Sequence, residues 1–358
     1  MTKVPTSTHK IDAEWLTEVL KDSGQIVSEV TSVTVETIGA GVGLMGELGR
    51  LHLTYAAEED LPDTLVAKCA AQNENRQVAQ ILDFYNREAD FYNRVAPDCP
   101  MNVPDSYHAD VNQETYDFVL LMEDLGDVTP PDQLVGASEN EVYSSVGNVA
   151  EMHAQWWGAT AESQPWMYDM HGAQEAERLR SMVYGPALEP CIEKFGYLLS
   201  AESEKLLRTV GERFAECWTR ISLPLDTFLH GDYRQDNMLY LEDEDEPLVM
   251  DWQISGRGKP VFDVAYFMCQ SVDETIRERI EDDVLAFYTS KLADHGVEYP
   301  LEQCIDDYRR ILLGCLIYPI TVCGSLDTAN ERGRQLGETM LTRNLSAIDK
   351  LGSAQLLS

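Results

Sequence analysis

Residues 229–239 read LHGDYRQDNML, and ten residues further on 249–253 read VMDWQ. Five polar side chains, His230, Asp232, Asp236, Asn237 and Asp251, crowd a span edged by Leu229, Met238, Leu239, Val249 and Met250. Apolar residues on both sides do not suit an ordinary surface loop. The segment is either a turn between buried strands or a place where carboxylates converge on a ligand. The order His, Asp two residues on, then Asn five residues after that Asp narrows the choice. It places one carboxylate where a hydroxyl can meet it and an amide oxygen about a turn later.

Upstream, residues 38–55 read IGAGVGLMGELGRLHLTY, with Gly41, Gly43 and Gly46 in the pattern G-x-G-x-x-G. Glycine permits positive φ and close backbone approach, so such a loop can turn N–H groups toward phosphate oxygens. A dinucleotide fingerprint needs a helix directly after the glycines. Here LGRLHLTY follows and reads as a strand, which is the strand–glycine loop–strand order of a nucleotide-covering loop in kinases. Lys68 lies inside the apolar run TLVAKCA and must either find a partner or snorkel to water. Glu88, in FYNREADFY, stands among aromatic residues on a predicted helix. It is either that partner, holding the ammonium over α/β-phosphates, or a surface residue.

In this context H-x-D-x-x-x-x-N in HGDYRQDN has the spacing of a kinase catalytic loop. Asp251, expected on the returning strand of a hairpin, supplies a second oxygen ligand beside Asn237. Two such oxygens, completed by phosphate oxygens and water, suit Mg²⁺.

The chain has 358 residues, with Lys+Arg 27 against Asp+Glu 62 and a net charge of −35. That balance repels nucleic acid and anionic membranes and leaves two readings, a solvated acidic surface or a preference for cationic partners. Eight cysteines without a C-x-x-C pair, several in apolar company, point to reduced thiols in a cytoplasmic protein. MTKVPTSTHKIDAEW lacks the apolar core of a signal peptide, and ILLGCLIYPITVCG at 311–324 is too short for a membrane span and reads as a buried helix.

Periodicity divides the chain in two. A short helix capped by Asp12 precedes strands at 30–39, 49–55 and 64–70, a helix over 76–95, and strands near 103–109 and 116–123. After a Pro- and Asp-rich connection at 124–132, helices are predicted over 139–158, 174–193, 201–220, 262–272, 274–295, 301–324 and 331–351. One short strand group interrupts them, 226–230 with 237–241 and 247–252, and EDEDE at 242–246 forms its tip.

FVLLMEDL, EMHAQWW, LHGDYRQDNMLY, VMDWQ and GKPVFDVAYFM together resemble the aminoglycoside phosphotransferase/choline kinase superfamily, and most closely its ecdysteroid-kinase-like and bacterial phosphotransferase branch. The resemblance runs from about residue 35 to 275. It implies an α+β, two-lobed, protein-kinase-like fold, with a β-rich lobe over 1–123, a hinge about 119–125, and a helical lobe over 124–358. By the same resemblance Asp232 is the catalytic base or hydroxyl-orienting carboxylate, and Asn237 and Asp251 hold Mg²⁺. Lys68, positioned by Glu88, contacts the ATP phosphates. The hinge, including Leu121 and Glu123, pairs with adenine through its backbone. His230 braces the loop, and Asp263 holds it from behind. His153, Trp156 and Trp157 are read as packing residues.

Two departures stand out. DWQ replaces D-F-G, so no activation-loop switch of that kind is implied. Arg234 occupies a position where protein kinases often carry a lysine near the transferred phosphoryl, and is either a neutralising group or a structural ion pair. The expectation is therefore an ATP- and Mg²⁺-dependent kinase acting on a small-molecule alcohol, cationic or bulky and apolar. The competing reading is a catalytically silent nucleotide-binding module. A protein kinase is disfavoured by the missing D-F-G and A-P-E.

Overall fold

The computed structural model describes residues 3–39, 45–220, 226–241, 246–325 and 330–357. Two units result. The first comprises Met1–Cys99, Val103–Val128 and Met250–Ile254, and the second comprises Pro100–Asn102, Thr129–Val249 and Ser255–Ser358. Residues 250–254 thus belong with the β-rich part, although the sequence places them inside the helical one.

In the first unit, helix α1 (Ala13–Asp22) starts where the Asp12 carboxylate accepts a hydrogen bond from the Trp15 N–H at 2.9 Å. Strands β1 (Val30–Ile38), β2 (Gly46–Tyr55) and β3 (Thr64–Ala70) follow, then helices α2 (Asn75–Ile81) and α3 (Phe84–Arg94), then strands β4 (Ser106–Val111) and β5 (Phe118–Glu123). The strands form one antiparallel sheet in the order β1-β2-β3-β5-β4. The two-residue period sends Leu51, Leu53, Leu65, Ala67, Cys69, Val119 and Leu121 to one face, where Trp15, Leu16, Val19 and Leu20 of α1 cover them. Burying each such aliphatic side chain contributes about 1.5–3 kcal/mol. The helix expected over 76–95 is two helices, because Asp83 adopts φ 59°. Aspartate tolerates that left-handed conformation, and its Oδ1 there accepts from Asn86 Nδ2 at 2.8 Å and from the Tyr116 hydroxyl.

The second unit is mainly helical. Helices α4 (Glu139–Gln155), α5 (Ala173–Leu179), α6 (Gly185–Phe195), α7 (Ala201–Glu212) and α8 (Phe214–Arg220) come first, with a π-helical turn, Arg180–Tyr184, joining α5 to α6. Short strands β6 (Thr227–Leu229), β7 (Met238–Leu239), β8 (Leu248–Val249) and β9 (Gly256–Gly258) precede helices α9 (Val261–Ser271), α10 (Glu274–Asp294), α11 (Leu301–Cys315), α12 (Ile317–Ser325) and α13 (Glu331–Lys350). The helix expected over 301–324 breaks at Leu316, because Pro319 has no N–H to offer the carbonyl of Cys315, four residues back.

The strand grouping also needs correcting. β7 pairs with β8, but β6 pairs with β9, a strand that the sequence pattern does not announce. The glycines of β9 are a packing requirement. A Cβ at Gly256 would lie 2.7 Å from the Tyr168 carbonyl, and one at Gly258 would lie 2.2 Å from His171 Nδ1. Most of the EDEDE tip lies outside the described residues. Seven of the eight cysteines are buried, and Cys99 is half-buried. Among the described residues no helix is long and apolar enough to cross a membrane.

Candidate active site

Lys68 is a central residue of β3 and only 9% exposed. Its Nζ lies 2.7 Å from Glu88 Oε1 and 3.0 Å from Asp251 Oδ1, so the ammonium is held between two carboxylates and does not snorkel to water. Glu88, on α3, is 1% exposed and thus no surface residue, and its Oε2 has no hydrogen-bond partner among the described residues. Burial works against the Lys68 ammonium, but the charges of Asp251 and Glu88 outweigh it and raise its pKa. Burial pushes the Glu88 carboxyl up, Lys68 opposing and Asp251 reinforcing the shift. The Lys68 shift therefore comes from two anions sharing one cation, and the Glu88 shift chiefly from burial.

Asp251 lies beyond the end of β8, not on the strand, and adopts φ 62°. Its neighbour Trp252 is fully buried and stacks on Phe91 of α3, with ring centroids 3.7 Å apart and planes 4° apart. Arg87, also on α3, donates to the Ile254 carbonyl. One helix therefore supplies both the Glu88 carboxylate and the platform that seats residues 250–254. In this chain the residues after the aspartate act as a stacked anchor, which is the physical content of DWQ.

Cross-strand register places Ile38, Leu48, Val66 and Met122 on the same sheet face as Lys68, and all four are half-buried. These apolar side chains around Lys68 are not among the features expected above, though the strand register places them there, with Arg50 further along the same face. Gly46 belongs to the same face. A Cβ there would lie 3.1 Å from Lys68 Cε and 3.2 Å from the Cys69 carbonyl, so the missing side chain makes room for the lysine stem. Gly41 and Gly43 fall outside the described residues. Leu121 is fully buried in the core and has ladder neighbours on both sides, Ala67 and His108, so its backbone is committed to the sheet. Glu123, at the exit of β5, gives its N–H to the Asp105 carbonyl at 2.9 Å and accepts the Asp105 N–H on Oε1. Of the two hinge candidates, only Glu123 stands where the chain leaves the sheet. The following Asp124 is fixed by Arg50 Nε at 2.8 Å.

In the second unit the catalytic-loop candidates converge. Asp232 is 8% exposed. Its carboxylate accepts from the Tyr266 hydroxyl at 2.8 Å on Oδ1, from Asn237 Nδ2 at 3.0 Å on Oδ2, and from Arg234 Nε at 3.3 Å. Arg234 also lies 3.3 Å from Asp236 Oδ2 and gives Nη1 to Gln133 Oε1 at 3.0 Å, so it forms the ion pairs of the more conservative reading. His230 Nδ1 accepts the Asp232 N–H at 3.1 Å. Asp263, fully buried on α9, accepts the N–H groups of His230 at 2.8 Å and Gly231 at 2.9 Å. Behind it His153 Nε2 lies 3.2 Å from Asp263 Oδ2, and His153 Nδ1 lies 2.8 Å from the Tyr288 hydroxyl. His153 is thus a buried packing residue, as expected, while Trp156 and Trp157 are half-buried.

Tyr266, Gln133 and Tyr318 belong to this site although the sequence does not name them. Tyr266 sits in the quoted run GKPVFDVAYFM, three residues after Asp263, and that i,i+3 spacing on a helix is the available signal. The donor set suits a hard cation. Asn237 spends Nδ2 on the Asp232 carbonyl and carboxylate, at 2.9 and 3.0 Å, which leaves its oxygen as the remaining branch of the amide. Asp251 offers a carboxylate whose side chain is 35% exposed. Among the described residues no three His, Cys, Asp or Glu side chains converge to hold a metal. An ion at either of the expected ligands would draw most of its shell from phosphate oxygens and water, as Mg²⁺ commonly does.

Residues 40–298 match the ecdysteroid kinase-like family. No curated protein matches the sequence. Among solved structures, a choline kinase from Cryptosporidium parvum Iowa II is 16% identical, with 89% of this chain and 88% of that chain covered and a TM-score of 0.53. An ethanolamine kinase from Plasmodium vivax is 10% identical, with 87% and 81% covered and a TM-score of 0.53. A protein assigned as an aminoglycoside phosphotransferase, from Ralstonia eutropha, is 14% identical, with 95% and 98% covered and a TM-score of 0.52. At these identities the likeness establishes the fold, which is the α+β protein-kinase-like one.

Proposed function

We propose, from the premise that this chain belongs to the ecdysteroid kinase-like family, that it is an ATP- and Mg²⁺-dependent kinase that phosphorylates a hydroxyl of a small molecule. The observation that carries the reading is the buried Lys68, held at 2.7 Å by Glu88 and 3.0 Å by Asp251 beside apolar side chains of the same sheet face. An ammonium fixed in this way beside a flat apolar surface suits a nucleotide: purine on Ile38, Leu48, Val66 and Met122, phosphates at Lys68. The exit of β5 at Glu123 meets the purine edge. Asn237 and Asp251 hold the magnesium, which when bound neutralises charge on the phosphate oxygens.

Asp232 orients the acceptor hydroxyl and takes its proton as the oxygen attacks the γ-phosphorus, with ADP leaving in line. Arg234, already beside Asp232, lies where positive charge can offset the charge of the transferred group. The choline kinase, the ethanolamine kinase and the assigned aminoglycoside phosphotransferase share an amine-bearing alcohol as the acceptor class in their names. With a net charge of −35 on this chain, the same class is the first to test. Alcohols of steroid size, suggested by the family name, are the second.

The test is an acceptor screen with purified protein, Mg-ATP and ADP detection, run beside Asp232→Ala. Acceptor-dependent ADP release that Asp232→Ala loses, with Mg-ATP still raising that variant's melting temperature, is the expected result. Equal turnover by Asp232→Ala sinks the assignment of Asp232. Tight ATP binding without transfer to any acceptor would instead favour the silent nucleotide-binding module.

A further inference from the structure

Two tyrosines of the second unit have no part in the roles assigned above. Tyr266 of α9 is 1% exposed and donates its hydroxyl to Asp232 Oδ1 at 2.8 Å. Tyr318 of α12 is half-buried and donates to the Gly231 carbonyl at 2.6 Å. Their ring centroids lie 4.1 Å apart with the planes at 34°, and the Phe262 ring neighbours both. Together with Asp263 they grip residues 230–232 at three kinds of group: the two N–H groups by Asp263, the Gly231 carbonyl by Tyr318, and the Asp232 side chain by Tyr266.

The carboxylate of Asp232 offers about four lone-pair positions. Tyr266, Asn237 and Arg234 fill three of them, which leaves one for an acceptor hydroxyl. Asn237 donates to Oδ2 and Tyr266 to Oδ1, while Arg234 Nε lies 3.3 Å from each oxygen. Of the contacts to Oδ1 the phenol is the shorter, 2.8 Å against 3.3 Å for Arg234 Nε, so removing it loosens the carboxylate on that side. Burial, reinforced by the Asp232 charge, holds the Tyr266 phenol well above its ordinary range, so it remains a donor at any working pH.

We propose that Tyr266 is the positioning residue for Asp232: it fixes the carboxylate so that its remaining lone pair faces the acceptor hydroxyl, while Tyr318 holds the adjoining carbonyl in register. The proposal rests on the reading of Asp232 as the hydroxyl-orienting group.

Tyr266→Phe keeps the ring and deletes only the donor. With an acceptor found by the screen, kcat should fall about 10- to 100-fold. KM for ATP and for the acceptor should stay within about twofold, because the Tyr266 hydroxyl is spent on Asp232 and binds neither. The melting temperature with Mg-ATP should stay close to that of the wild type. In Asp232→Asn, adding Tyr266→Phe should cost almost nothing further, since the group being positioned is already gone. Wild-type kcat in Tyr266→Phe, in an enzyme that Asp232→Ala inactivates, overturns the proposal and leaves the functional reading intact. So does a joint fall of kcat, both affinities and melting temperature, which marks a packing residue. If Tyr266→Phe does not fold, Tyr318→Phe takes its place, with a smaller kcat loss and unchanged KM expected and wild-type kcat counting against the clamp. A wild-type chain that transfers to no acceptor removes the role of Asp232, and this proposal with it.

Discussion

Lys68→Met removes an ammonium from between two carboxylates and keeps most of the stem. The Glu88 side chain is 2% exposed and the Lys68 side chain 11%, so the pair is desolvated, whereas Asp251 at 35% retains water. Breaking a buried pair by deleting one partner costs about 3–5 kcal/mol, because the other charge stays buried without compensation. Glu88 is poorly placed to absorb that loss, since its Oε2 already lacks a partner among the described residues. Lys68→Met should therefore lower unfolding stability by about 3–5 kcal/mol, read from denaturant titrations at pH 7. Adding Glu88→Gln removes the stranded charge and should restore at least about half of the loss. Neither variant should be stabilised by Mg-ATP, so the folding and nucleotide-binding parts separate. A Lys68→Met protein within about 0.5 kcal/mol of the wild type, or a double variant no more stable than the single, would refute the argument that the ammonium is desolvated.

Three other changes probe the supports of the site. Burial lowers the pKa of His171 to about 3, with Asp263 opposing and Lys259 assisting, and neither ring nitrogen has a hydrogen-bond partner among the described residues. The folded value lies below the unfolded one, so stability from the neutral ring is complete above pH 6.5 and is lost as pH falls from 6.5 toward 3. Between pH 7 and pH 5 the wild type should lose about 2 kcal/mol more than His171→Leu in paired denaturant titrations, and parallel pH profiles would contradict this. Asp263→Asn turns one acceptor into a donor facing the N–H groups of His230 and Gly231. It should cost about 1–3 kcal/mol in unfolding experiments and slow turnover by more than about tenfold, with nucleotide affinity retained. Trp252→Leu deletes the stack on Phe91 and should cost about 2–5 kcal/mol, with a weaker Mg-ATP shift in melting temperature because Asp251 loses its anchor.

Much of the first unit is legible in the sequence because part of its sheet, β2 above all, follows a two-residue period. Residues such as Leu51, Leu53 and Leu65 alternate with exposed or half-buried neighbours, and α1 supplies a matching apolar stripe. The helix breaks are not legible. Apolar periodicity continues across Asp83 and Leu316, and what ends the helices is a left-handed aspartate in one case and a proline three residues on in the other. Strand β9 is hidden for another reason. Gly-Arg-Gly has no alternation to read, and its glycines answer to Tyr168 and His171, contacts that exist only in the fold.

The site divides along the same line between residue type and placement. Lys68, Glu88, Asp232, Asn237 and Asp251 can be named from spacing because their chemistry needs those side chains in that order. The groups that aim them cannot. Trp252 and Tyr266 are large buried aromatics in apolar surroundings, and in a sequence they look like any core residue. Their placement also bears on the acidity of the chain. Each carboxylate of the site is compensated nearby: Glu88 and Asp251 by Lys68, Asp232 by Arg234, Asn237 and Tyr266, Asp263 by two backbone N–H groups. The net charge of −35 therefore does not originate in the catalytic carboxylates. Under the proposed function, local pairing would let Asp232 act as an oriented hydrogen-bond acceptor, while the surplus charge is left to act at longer range, where it would attract an ammonium-bearing acceptor and be screened by salt.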